Sequence, residues 1–553
     1  MRAMDVPVTA LSPFRVQVFR RVWFASLTSN FGSLIQSVGA AWLMLEMTAQ
    51  AGMVALVQTS VALPVVLLSL LGGAIADSWD RRRVMLGAQG FMLIVSALLA
   101  LCAWLQVLTP WLLLAFTFLI GCGSSFHAPA WQASVQDMVP RPQVPAAVAL
   151  NSMGFNLARS TGPAIGGAIV AAAGAAAAFA VNALSYVGLI AVLWRWQPGY
   201  EPPLLPRERL GSAMAAGLRY VTLSPTIRTV LLRSVAFGLG AGAVLALLPL
   251  IAARLGAGGA LGYGLLLGAF GLGAVCAALG SAQLRARLST EALVQAASVV
   301  FALALVVVAT RPVFALTALM MLGAGGGWVL ALSNLNVAVQ LAAPRWVVAR
   351  ALSLYQMAAF GGLAVGSWLW GQLAESHSVE AALLGAAGAL LGSAALGWLL
   401  PLEQSAQRDL DPLRRYEEPV TAVAVESRTG PVVVTIEWII DEPDIVPFLN
   451  AMAERRRIRR RDGAHQWVLL RDLHDPRLWI ERYKTATWLD YLRHNSRITR
   501  DDAVVPERLR ALHRGEGSPK VRRMIERSTS RLPWAQREPR EEDPPSTDPT
   551  RGI

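Results

Sequence analysis

Residues 61–83 read Val61-Ala-Leu-Pro64-Val-Val-Leu-Leu-Ser69-Leu-Leu-Gly72-Gly73-Ala-Ile-Ala-Asp77-Ser78-Trp79-Asp80-Arg81-Arg82-Arg83, and a second apolar run begins at Val84. An apolar run closed by acids and three arginines, then resumed, is the end of one membrane-crossing helix, a short polar loop and the start of the next. A helix needs about 20 apolar residues to cross a hydrocarbon core of about 30 Å. Working outward, such runs recur at 22–46, 53–76, 84–106, 109–131, 146–172, 174–196, 226–253, 259–282, 290–310, 312–340, 347–374 and 379–400. The whole chain agrees: its 553 residues are 54% hydrophobic and 15% charged, where a soluble protein carries about 25% charged residues. The expected fold is an all-α polytopic membrane protein of twelve transmembrane helices, followed by a small α+β domain.

The basic residues set an orientation. Arg15, Arg20 and Arg21 precede the first span, Arg81–Arg83 follow the second, Arg141 the fourth, Arg207, Arg209 and Arg219 the sixth, Arg285 and Arg287 the eighth, and Arg345 and Arg350 the tenth. The intervening loops hold little more than Arg254 and Arg311. Basic loops stay on the cytoplasmic side, so both termini are expected there. The formal charge of +13 therefore reflects membrane topology, and no nucleic-acid partner is expected. The expected organisation is a segment 1–21, a six-helix half 22–196, a linker 197–225 carrying Pro202, Pro203 and Pro206, a second half 226–403, a linker 404–430, a soluble domain 431–515 and a disordered tail 516–553. Six spans on either side of one long connection are what two transporter halves require. Cys102, Cys122 and Cys276 lie singly in apolar spans, which gives neither a disulfide pair nor a metal site. No cleavable leader is expected, because the first long apolar run, from Val22, reads as the first span itself.

The stretch from Gly73 through Asp77 to Arg81 and Arg82 resembles the loop signature of the major facilitator superfamily. Physically, Gly73 allows a close helix approach, and Asp77 stands where it can pair with Arg81 or Arg82 or cap a neighbouring helix, so the four are candidate gating residues. Ser78 and Asp80 depart from the family's pattern, which usually has a basic residue and a glycine there. In the fifth span Gly154-Phe-Asn-Leu-Ala-Arg159-Ser-Thr-Gly162-Pro163-Ala-Ile-Gly166-Gly167 resembles the superfamily's antiporter signature. Its proline removes a backbone donor and its glycines remove bulk, so a bent, tightly packed helix is expected. With Phe126-His-Ala-Pro129 and Val148-Ala-Leu-Asn151, the chain resembles the branch containing enterobactin exporters and transmembrane secretion effectors, over roughly residues 11–403. The resemblance implies a bacterial inner-membrane protein, often proton-driven, that moves small hydrophilic or amphipathic compounds outward.

Arg159 is a charge deep in a span, which costs at least about 2.5 kcal/mol and calls for a partner or a wet cavity. Asp137 and Asp77 are candidate partners. Drug antiporters of the superfamily usually carry an arginine where Thr117 stands, which takes away that familiar proton relay. Ser26, Ser29, Asn30, Ser33 and Ser37 fall on one helical face, and Asn336 and Gln340 fall together on the tenth span. The coupling or substrate candidates are thus Arg159, Asp137, Asn30, Ser33, Asn336 and Gln340. Interhelical hydrogen bonding is the commoner use of such amides and hydroxyls. Few carboxylates lie in the spans, which turns the expectation away from multiply cationic substrates.

Beyond residue 430 the pattern becomes strand, basic helix 444–460, strand 465–472, strand 478–484 and a helix from Trp488. Trp467-Val-Leu-Leu-Arg471-Asp472 and Trp488-Leu-Asp-Tyr491-Leu-Arg493-His494 resemble a ferredoxin-like domain of the antibiotic-monooxygenase type. Such domains often dimerise through their sheets, so a homodimer is expected. The run Glu454–Arg461 reads either as a patch for anionic headgroups or as a solvated helix face. No catalytic residue, metal site or cofactor is expected, and without a nucleotide-binding motif ATP is not the direct energy source. The sequence therefore reads as a secondary active exporter working with protons on a small molecule. Two alternatives remain: a transporter-like sensor or scaffold signalling through its C-terminal domain, and a membrane-attached oxygenase.

Overall fold

A computed structural model describes residues 11–48, 50–197, 210–256, 259–344, 346–402, 419 and 421–527. They form two compact units, the first drawn from Met1–Tyr200, Thr226–Leu341 and Ala349–Ser405.

The first unit holds α1 (Gln17–Met47), α2 (Ala51–Ser78), α3 (Arg81–Trp104), α4 (Pro110–Met138), α5 (Val144–Arg195), α7 (Pro225–Arg254), α8 (Ala260–Arg287), α9 (Thr290–Thr310), α10 (Phe314–Ala342), α11 (Val348–Ser376) and α12 (Val379–Leu399); α6 (Leu210–Leu223) belongs to the second unit. Short polar side chains start several of these helices by accepting an otherwise orphaned backbone N–H. Asp80 accepts from Arg82 at 2.9 Å, Ser289 from Ala292 at 3.2 Å and Ser378 from Ala381 at 3.1 Å. Among the described residues ten helices are long and apolar enough to cross a membrane.

One of the ten is α5, whose 52 residues would reach about 78 Å if straight. Gly174 breaks it, with φ 77° and ψ 172°, a backbone region open to glycine alone. Gly154 and Gly166 lie beside Trp23 and Ile35 of α1, so the first limb runs parallel to α1. Gly39 and Gly32 of α1 meet Ala178 and Ser185, so the second limb runs back. The fifth and sixth spans are therefore a hairpin turned on one glycine, while Pro163 is accommodated in helical backbone. With α5 counted as two limbs and the serine-diluted α1 added, the described residues give twelve helical segments of the length a crossing needs.

Among the described residues two large apolar cores of this unit differ in level. Calling the end that carries Arg81–Arg83 the motif end, one core runs from the far end to mid-depth and joins both halves: Val38, Met44 and Val54 share it with Leu247, Tyr263 and Leu363. The other, with Phe19, Trp23, Met85, Val135 and Leu193, is at the motif end and contains residues of the first half alone.

The second unit comprises residues of Glu201–Pro225, Ala342–Val348 and Ala406–Ile553. Its elements are α6, β1 (Val432–Ile439), α13 (Ile445–Arg461), β2 (His465–Arg471), β3 (Leu478–Thr485), α14 (Trp488–Ser496), α15 (Val504–Leu512) and β4 (Lys520–Ile525). The sheet is antiparallel in the order β2-β3-β1-β4. β4 pairs with β1 from Val432↔Ile525 to Glu437↔Lys520, so the domain runs past the boundary expected at 515, while residues 528–553 lie outside the described residues. Arginines at 522 and 523 blunt the alternation that would have marked this strand.

The linker expected at 197–225 contains α6, which buries Ala216, Tyr220 and Val221. Arg461 lies 5.0 Å from the Tyr220 ring centre and Arg497 4.1 Å from that of Trp346, while the Tyr220 and Trp346 rings meet edge-on at 5.5 Å. The domain is thus clipped to two connecting segments of the chain by arginine–aromatic contacts, each worth about 0.5–2 kcal/mol.

Candidate functional site

The seam between the two halves is lined by small residues, and they decide how closely its helices approach. Along α5 and α8 the backbones touch because side chains are missing: a Cβ on Gly167 would lie 2.6 Å from the Ala260 carbonyl oxygen and 3.0 Å from Gly264 Cα. The contact continues through Gly268 beside Ser160 to Gly271 beside Arg159, while a Cβ on Gly280 would meet open space. Gly162 and Gly166 face Leu34 and Ile35 instead, so the motif presses α5 against α1 on one side and α8 on the other.

Across the other side of the seam run α2 and α11. The Glu375 carboxylate accepts from the Gly52 backbone N–H at 3.0 Å at the far end, favoured there by the positive end of the helix dipole. Thr59 donates to the Ala364 carbonyl at 3.1 Å. Nearer the motif end a Cβ on Gly73 would sit 3.1 Å from the Ser353 hydroxyl. Gly73 therefore stands at a close helix approach between the halves.

At mid-depth the seam holds Arg159. Its guanidinium carbon lies 5.6 Å from the Phe270 ring centre on α8 and 5.5 Å from that of Trp328 on α10. Those rings belong to a cluster with Phe237 and Phe301, with neighbouring centroids 6.0–6.3 Å apart. Among the described residues Arg159 has neither a carboxylate partner nor a hydrogen-bond acceptor, and it is half-buried.

The acids named as its possible partners go elsewhere. Asp137 accepts from Arg81 at 3.0 Å, and the same nitrogen of Arg81 donates to the Ala133 carbonyl at 3.0 Å. The side chain of Asp77 lies outside the described residues. Arg82 reaches the carbonyls of Leu193 and Trp194 at 2.9 and 2.5 Å, closing the end of the sixth span. The loop motif thus ties α3 to α4 and to α5. Arg81 and Asp137 are 32% and 34% exposed, so Asp137→Asn is expected to cost less than about 1 kcal/mol, read by thermal unfolding in detergent.

The sequence reading passed over two groups. Arg233 on α7 is sealed from solvent, and its two terminal nitrogens each hold one oxygen of Glu291 at 2.9 Å. The Leu400 carbonyl and the Leu402 N–H complete this tie at 3.1 and 2.9 Å. An arginine inside a span, with an acid opening a later span, was the available signal. Gln36, Ser96, Asn182 and Tyr186 form the other group, buried inside the first half: Ser96 and Asn182 donate to Gln36 at 2.6 and 2.5 Å, and Asn182 to the Tyr186 oxygen at 3.1 Å. Their bonds are spent on one another.

The remaining candidates are scattered. Asn30 is half-buried, and Ser33 is exposed and donates to the Ser29 carbonyl at 3.0 Å. Ser26 and Ser29 turn into the core, so the serine face of α1 is not one continuous lining. Gln340 donates to Asn336 at 2.6 Å on the motif-end part of α10. His127 stacks on Trp131 and has no partner charge among the described residues.

In the second unit the arginine run of α13 points largely inward. Glu481, fully buried on β3, accepts from Arg455 at 2.7 Å and from Trp467 at 3.1 Å, with Arg459 at 3.6 Å. Burial by itself raises its pKa, but the two guanidinium groups outweigh this and hold it below the ordinary glutamate range. Arg456, Arg457 and Arg460 remain exposed. Arg455, Arg459, Asp462, His494 and Asp502 border a cavity of about 30 Å³, room for about one water molecule. Among the described residues no group of three or more His, Cys, Asp or Glu side chains is placed to hold a metal.

Comparison with known proteins gives the following. A profile of the transmembrane secretion effector family matches residues 8–531. The enterobactin exporter EntS of Citrobacter koseri is 29% identical over 357 residues, covering 63% of this chain and 81% of the relative. The staphyloferrin A transporter of Staphylococcus aureus is 31% identical over 163 residues, 29% of this chain but only 41% of that protein's length. Among solved structures, a bacterial homologue of the human lysosomal transporter Spinster, inward-facing and occupied, superposes with a TM-score of 0.57 at 12% identity, covering 70% of this chain and 97% of its own. At that identity the likeness is one of fold.

Proposed function

This chain belongs to the transmembrane secretion effector family, membrane transporters of the major facilitator fold related to siderophore and drug exporters, and from that premise we propose that it is a proton-coupled secondary exporter of a small molecule. It works by alternating access in the bacterial inner membrane with both termini cytoplasmic, so the motif end faces the cytoplasm.

The observation that carries this reading is the uneven seam. Among the described residues the large apolar core that the two halves share runs from the far end to mid-depth, while a core at the motif end is built from the first half alone. Rigid halves joined at one level can rock about it. Arg159 of α5, at mid-depth against α8 and α10 of the other half and without an acceptor among the described residues, then lies on the path. Arg81, Arg82 and Gly73 form the motif-end gate in this reading, and Glu375 on the Gly52 amide forms the far-end one. An arginine stays charged, so in this reading the coupling proton is carried by a group other than Arg81, Arg82 or Arg159.

Purified protein in proteoliposomes with an imposed pH gradient tests this, using a panel of siderophores and amphipathic drugs. Gradient-dependent movement that collapses with a protonophore is the expected result. No movement of any compound at matched reconstitution would overturn export, and a response confined to the C-terminal domain would then favour a sensor.

A further inference from the structure

Among the described residues two arginines, Arg159 and Arg233, sit inside the helical bundle, and they are treated in opposite ways. Arg233 is sealed and held bidentately by Glu291. Arg159 is half-buried, and the faces beside it are aromatic rings, which attract a cation but accept no bonds along the guanidinium plane. Its fork of N–H donors has no protein acceptor among the described residues. A charge at this depth without a partner marks a wet or liganded position.

From this contrast we propose that Arg159, Phe270 and Trp328 form a subsite for an organic oxyanion with a flat apolar body, of the aromatic carboxylate class. The carboxylate pairs with the open edge of the guanidinium in the two-pronged geometry that arginine favours. The flat body extends the ring cluster of Phe270, Trp328, Phe237 and Phe301. Because the cation comes from the first half and the rings from the second, an occupant touches both halves at once. Binding therefore favours the closed seam, as a ligand must if it is to bias two states. The subsite rests on the export reading only for the direction in which its occupant moves.

The test uses the full-length protein in detergent, titrated calorimetrically with 1-naphthoate, its neutral amide 1-naphthamide, and the cation 1-naphthylmethylammonium. Naphthoate is expected to bind at least about tenfold more tightly than the amide, the scale of one charge-assisted bond in a partly dry site. Arg159→Gln removes that preference, Arg159→Lys keeps part of it because the charge remains without the fork, and Trp328→Leu weakens acid and amide alike. Arg159→Lys and Trp328→Leu keep the test decisive should Arg159→Gln fail to fold. Equal binding of acid and amide, tightest binding of the cation, no binding of any probe, or a preference that survives Arg159→Gln would each overturn the subsite. Arg159-dependent naphthoate binding without gradient-driven movement keeps the subsite and removes the export reading. Gradient-driven movement of neutral or cationic drugs untouched by Arg159→Gln does the reverse.

Discussion

A Gly167→Val chain is expected to lose gradient-driven efflux by about 10- to 100-fold while still inserting in the membrane. The first added carbon meets backbone atoms, the Ala260 carbonyl oxygen at 2.6 Å and Gly264 Cα at 3.0 Å, and backbone cannot swing aside as a side chain does. Overpacking of this kind costs about 1–3 kcal/mol. Here the cost falls on the state in which α5 and α8 touch, because the first limb of α5 keeps its contacts with α1 when the seam parts. At about 1.4 kcal/mol per tenfold in population, the closed state is depleted by the factor given. The check is efflux from proteoliposomes, together with alkylation of a cysteine placed at Leu45 near the far end. Faster alkylation in the valine chain is expected. Wild-type efflux with unchanged labelling would show that the contact is not needed for closure. Gly188, with nothing within 4 Å of a Cβ, is the control: Gly188→Ala leaves transport unchanged.

Glu481→Ala is expected to unfold the C-terminal domain at ordinary temperatures or to cost it about 3–5 kcal/mol. The substitution strands Arg455 and Arg459, both buried, in a core of Trp438, Phe448 and Tyr483. Hydrogen exchange in β1 and β3 of the full-length protein measures it, and exchange in α2 and α11 provides an internal reference. The same carboxylate sets an acid limit. Its folded pKa is depressed, so its contribution is fully present above the unfolded value of about 4.3 and is lost as pH falls through the folded one. Wild-type strands should therefore lose protection steeply in that acid window, and Glu481→Gln should begin less protected and respond more weakly. An alanine variant as protected as wild type would mean that the guanidinium groups find water.

How much of this was legible in advance differs from residue to residue. The starts of the runs at 290 and 379 were legible from apolarity, and in the structure Ser289 and Ser378 satisfy the first backbone donors there. Gly174 opens the second of two adjoining apolar runs, which placed the break between the fifth and sixth spans without showing that helix would continue on both sides of a single glycine. The pairing of Arg81 with Asp137 was harder to read, because 56 positions separate them and several acids were equally near in sequence. For Asn30 and Ser33 periodicity gave a common face but not what that face meets. The inward direction of Arg455 and Arg459 was hidden by composition: a run of arginines reads as a solvated face until a buried acid from another strand is found beneath it. The strand at Lys520–Ile525 was masked by its charges and shows itself only through its pairing with β1.

The sequence by itself determined the apolar runs, the α+β region after them and the family, because each rests on periodicity, composition and short motifs that act over a few residues. The tertiary structure alone decided that Arg233 is paired with Glu291 while Arg159 has no acceptor among the described residues, that Asp137 serves the loop motif, and that the halves share an apolar core from the far end to mid-depth. Those outcomes depend on which distant side chains reach the same few ångströms, and a charge in a low-dielectric interior is settled by that proximity rather than by its neighbours in the chain.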